Sequence, residues 1–171
     1  MAGVSKRSKI VGADILPASQ RRAKIESEPL PANMAQFIHE ASRDGGGKLV
    51  WHFIETDEKI TYAELEPRVH AIAAGLASLG VGKGTHVAVM LPNIAAMPLT
   101  WLAIGVLGAV MVPVNNSYSE REVAYVVGDS EATHMVVDVA CLPLVEKVLG
   151  GEKIKLQPKL HRAHLAPCHD L

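Results

Sequence analysis

From Ile60 to Asp138 the apolar positions fall into a fixed order: a helical stripe, then three short β-rich runs with helix-length segments between them. The runs begin at Val87 (VAVML), Val110 (VMVPV) and His134 (HMVVD), 23 and 24 residues apart. Parallel strands cannot be joined by a tight turn, so this spacing predicts a parallel sheet with crossover helices. The fold class that follows is α/β, a partial doubly wound parallel sheet preceded by a helix and a β-hairpin.

Local signals place the elements. Asn33 with Gln36 three residues on predicts a helix from Met34 to about Ser42, with Met34, Phe37, Ile38 and Ala41 on one face and Gly45–Gly47 closing it. Leu49–Ile54 and Lys59–Thr61 flank the polar turn Glu55–Glu58 and predict a hairpin with a four-residue loop. Thr61 and Glu64 form a capping box at the head of a stripe made by Leu65, Val69, Ile72, Ala73, Leu76 and Leu79, which Gly80 ends. Pro67 lies beyond the first turn, where its missing N–H breaks a backbone bond, so a kink or a later helix start is expected. Strand Val87–Leu91, helix Ile94–Leu107 with Pro98 near its start, and strand Val110–Val114 follow. Ser119 and Glu122 form a second capping box, opening a helix with Val123, Val126 and Val127 inward. Strand His134–Asp138 and a short helix over Leu142–Leu149 complete the pattern.

Composition narrows the class. A chain of 171 residues can bury about 70% of its unfolded surface as one domain. Its 17 basic and 18 acidic residues, with 4% aromatics, leave neither a basic face nor a stacking platform for nucleic acid. Residues 1–32 are basic and proline-closed; they read as a solvated, disordered leader rather than an arm for an anionic surface. Residues 33–149 carry the α/β pattern, and 150–171 form a tail without periodicity. Cys141 and Cys168 make no disulfide framework, and no apolar stretch near the N-terminus is long enough for a secretory signal, so the expected location is the cytoplasm.

Candidate chemistry is sparse. Gly80–Thr85 (GVGKGT) has the flavour of a phosphate loop, but Ala77 stands at the first glycine position of the Walker spacing and Gly84 where Ser or Thr should follow the lysine. The segment also runs from helix into strand, so it reads as an αβ turn. His161, His164, Cys168 and His169 have metal-ligand chemistry, yet zinc needs a rigid scaffold that this tail does not offer. Val87–Tyr118 has no charged residue and could hold a span through Ile94–Val114. Pro92, Pro98 and Pro113 instead fall at strand and helix boundaries, as buried parallel strands require, and no membrane span is expected. Asn93, Asn115, Asn116 and Asp138 lie at strand carboxyl ends, where open α/β sheets bind ligands. Their other use is as turn formers and caps. No catalytic, cofactor-binding or metal-binding residue is assigned.

From Met34 to about Val148 the order of motifs resembles the N-terminal part of the adenylate-forming acyl-CoA synthetases, the AMP-dependent synthetase/ligase family. The matching stretches are Ile60–Leu65 (ITYAEL), Ala74–Gly84 (AGLASLGVGKG), Val87–Asn93 (VAVMLPN), Trp101–Ile104 (WLAI), Gly108–Val110, Val112–Asn115 (VPVN), and Asp129-Ser130 ahead of Val136–Asp138. The resemblance implies an enzyme that uses ATP and Mg²⁺ to convert a small-molecule carboxylic acid into an acyl-adenylate and then transfers the acyl group to CoA. In texture it is closest to synthetases of carnitine-like or medium-sized acids. The chain departs from the family where it matters chemically. The Thr-Ser-Gly-Thr-Thr-Gly-x-Pro-Lys phosphate loop and the later adenine, ribose and lysine motifs are absent, and Thr85-His86 stands where Asp-Arg is common. The resulting expectation is an N-terminal fragment, ended by truncation or a shifted frame near Gly150, that is inactive as a ligase alone and binds none of ATP, Mg²⁺ or CoA tightly. Two rivals are a complete small α/β module binding nucleotide or CoA through Asn93, Asn115 and Asp138, and a single-span membrane protein through Ile94–Val114.

Overall fold

A computed structural model describes residues 17–150. The chain divides between Pro31 and Ala32 into two units. In the first, α1 (Ala18–Ser27) occupies part of the segment read as a disordered leader. Its residues are good helix formers, Arg22 pairs with Glu26 one turn on at 2.7 Å, and it buries nothing. The sequence reading missed it because it has no apolar face. Residues 1–16 and 151–171, including the His161–His169 pattern, lie outside the described residues.

The second unit opens with α2 (Met34–Gly45), whose Asn33 cap accepts a hydrogen bond from the Gln36 amide at 2.9 Å. Ile38 is buried, whereas Phe37, placed on the same face by the sequence reading, is 51% exposed. Strands β1 (Leu49–Phe53) and β2 (Glu58–Thr61) pair antiparallel, with an irregularity between Leu49 and Trp51. The loop is Ile54–Asp57, one residue earlier than expected, because Asp57 takes a left-handed φ of 52° and frees Glu58 to pair with Phe53. The Glu58 carboxylate then accepts from Arg68 at 2.9 Å.

Arg68 belongs to α3 (Tyr62–Ser78), which runs unbroken through Pro67, so a later start is excluded. The surroundings meet backbone demand near the proline: the Glu66 amide donates to Ser42 Oγ at 3.2 Å. At the head of the helix, Tyr62 and Ala63 amides donate to the carbonyls of Lys48 and Gly46 at 2.9 and 2.8 Å. The Gly45–Gly47 loop thus closes α2 and caps α3 together. At the other end Gly80 takes φ 96°, its amide bonds Ala77 O, and the Val81 amide bonds Leu76 O, with Val81 and Leu76 both buried. This is the Schellman arrangement expected of a glycine stop.

The three runs form β3 (His86–Met90), β4 (Val110–Pro113) and β5 (His134–Val137), all parallel in the order β4-β3-β5. Helix α4 (Ala96–Val106) joins β3 to β4, and α5 (Glu120–Asp129) joins β4 to β5. A 3-10 turn (Val139–Cys141) and α6 (Leu142–Gly150) follow β5. The two crossovers travel in opposite directions across the sheet, so right-handed connections must place their helices on opposite faces. The core obeys this. Val87, Val89 and Val136 pack with α3 and α4, while Ala88, Met90 and Met135 pack with α5 and α6. The sheet is therefore doubly wound as expected, with helices packed on both of its faces among the described residues.

Both capping boxes form. Glu64 accepts from the Thr61 amide and hydroxyl at 2.8 and 2.7 Å, and Glu122 accepts from the Ser119 amide and hydroxyl at the same distances. The hydroxyl bonds first, and the amide bonds second, hold both carboxyls below the usual glutamate range. A carboxyl whose folded pKa is depressed adds stability above its unfolded pKa and loses it as pH falls through the folded value. Stability should accordingly decline as pH drops below the ordinary value of 4.5. Urea midpoints for Glu64→Gln/Glu122→Gln should fall less steeply over that range than those of the native chain; equal slopes would refute the linkage.

Candidate functional site

The carboxyl end of β3 is the switch point of the sheet, since the chain leaves it toward α4 on one face while β4 and β5 lead to α5 and α6 on the other. The topology brings Asn93, Asn115 and Asp138 to this one edge, as their positions at strand ends imply. Asn115 Oδ1 accepts from the Ser117 amide at 2.9 Å, which makes a local turn. Asp138 Oδ1 accepts from the Ala140 amide at 2.9 Å and caps the 3-10 turn, while its own amide donates to Met90 O at 2.9 Å. Asn93 is exposed in the bend before α4. Asn115 and Asp138 therefore shape loops, and Asn116 is exposed beside them.

Cys141 sits half-buried beyond Asp138; burial first, and the Asp138 charge second, push its thiol pKa up, away from a reactive thiolate. Thr100 was not singled out in the sequence. It is fully buried in α4, and its hydroxyl has no hydrogen-bond partner among the described residues. The only signal for it was a single hydroxyl within an otherwise apolar helix segment.

The glycine-rich segment lies at the opposite, amino end of the sheet. Gly82 amide donates to Thr85 Oγ1 at 3.1 Å, Thr85 amide to Gly82 O at 3.0 Å, and Gly84 amide to Gly108 O at 3.0 Å. With Gly80 and Val81 bonded back to α3, these amides are spent within the fold and cannot cradle a phosphate. Among the described residues no group of three His, Cys, Asp or Glu side chains could hold a metal ion. The described residues therefore do not fit ATP with Mg²⁺.

Thr85-His86, the departure from the family pattern, has a structural use. His86 Nδ1 donates to Ser130 O at the C-terminus of α5 at 2.6 Å, and His134 Nε2 donates to Leu79 O at the C-terminus of α3 at 3.1 Å. Each imidazole satisfies a carbonyl that the end of a helix leaves open.

The Ile94–Val114 run is divided between α4 and β4. Eleven helical residues span about 16 Å, against roughly 30 Å of hydrocarbon core. No helix among the described residues is long and apolar enough to cross a membrane, which overturns the single-span alternative.

Comparison with known proteins agrees with the fold. The chain is similar to a long-chain-fatty-acid–CoA ligase of Thermus thermophilus, 33% identical over 123 residues, covering 71% of this chain and 23% of that protein. It is 35% identical over 136 residues to a long-chain-fatty-acid–CoA ligase of Salmonella typhimurium, covering 79% of this chain and 23% of that protein. The chain thus spans about a quarter of the length of these relatives, whose names carry long-chain acids rather than carnitine-like or medium-sized ones. Among solved structures, the inhibitor-bound N-terminal domain of FACL13 from Mycobacterium tuberculosis superposes with a TM-score of 0.67 at 23% identity, covering 70% of this chain and 30% of that one, and shows the shared fold. Residues 37–167 match the AMP-binding enzyme family, which is more than half of the chain. By sequence and by architecture, this chain belongs to the AMP-binding enzyme family.

Proposed function

We propose that this chain supplies scaffold to an ATP-dependent carboxylic acid–CoA ligase acting in the cytoplasm on a fatty acid, and that by itself it has no ligase activity. The observation that carries the reading is the pairing of a family match over residues 37–167 with a sheet whose loop amides and polar side chains are spent on turns and caps. ATP, Mg²⁺, CoA and the acid would then be handled by residues outside 17–150. The match continues past Gly150 to residue 167, so a change of reading frame there is no part of the proposal.

Incubation of the purified chain with ATP, Mg²⁺, CoA and a panel of carboxylic acids, long-chain fatty acids among them, should release no pyrophosphate above background. Fused to the remaining three quarters of a long-chain ligase relative, the same residues should support pyrophosphate release and acyl-CoA formation. Turnover by the chain alone would overturn its role as scaffold. A folded but inactive fusion would overturn the ligase reading.

A further inference from the structure

We draw no further inference here: the strongest candidate, the outer edge of β5 along Met135 and Val137, carries nothing because residues 151–171 lie outside the described residues and nothing in the structure shows what covers that edge.

Discussion

Gly45→Val should be the most damaging single substitution in the α2–α3 region, costing on the order of 3 kcal/mol or more. A Cβ at residue 45 would sit 2.6 Å from Tyr62 Cβ, closer than carbon atoms can approach. The clash involves the root of the side chain, so rotating the ring does not relieve it. Nor can Tyr62 retreat freely, because its amide is bonded to Lys48 O and the next amide to Gly46 O. Shifting the start of α3 would therefore break the cap that the glycine loop provides. Gly47→Ala is the matched control, since nothing lies within 4 Å of a Cβ there. It should cost less than about 1 kcal/mol. Urea denaturation followed by circular dichroism distinguishes the two; equal midpoints would mean that the α2–α3 junction is not packed as described.

Met90→Ala should lower stability by about 2–5 kcal/mol, the range for deleting a large buried side chain that leaves a cavity. Met90 is fully buried on the central strand and packs with residues of α5 and α6. Its strand is flanked by β4 and β5, which limits collapse around the void. Val110→Ala, on the edge strand where the side chain is 44% exposed, should cost under about 1 kcal/mol. A total stability of 5–15 kcal/mol is usual for a domain, so the first substitution removes a large share and the second little. Similar losses from both would contradict β3 as the central strand.

The local devices were legible in the sequence. Both capping boxes, the Asn33 cap, the Gly80 stop and all three parallel strands form within a residue or two of where spacing and side-chain chemistry put them. These depend on groups a few residues apart and so survive without knowledge of the fold. The errors come from contacts distant in sequence. Phe37 has the period of a core residue but lies outward, because only Ile38 and Met34 meet the core. The hairpin loop ends at Asp57 rather than Glu58, which pairs with Phe53 and also accepts from Arg68, ten residues away. Helix α1 escaped notice for the opposite reason: it forms without burying anything.

The candidate site divides the same way. That Asn93, Asn115 and Asp138 gather at one sheet edge follows from strand order, and strand ends announce themselves in the sequence. Whether their oxygens point at a ligand or at their own loops is settled by distances near 2.9 Å that no pattern encodes.

By itself the sequence determined the class, the element order from α2 onward and the family, because alternation, helical period and capping chemistry act over short stretches of chain. The tertiary structure alone decided which face each helix covers and how His86 and His134 close the ends of α5 and α3. Those outcomes depend on strand order and backbone direction. They arise only when segments far apart in the chain compete for the same hydrogen bonds and the same buried volume.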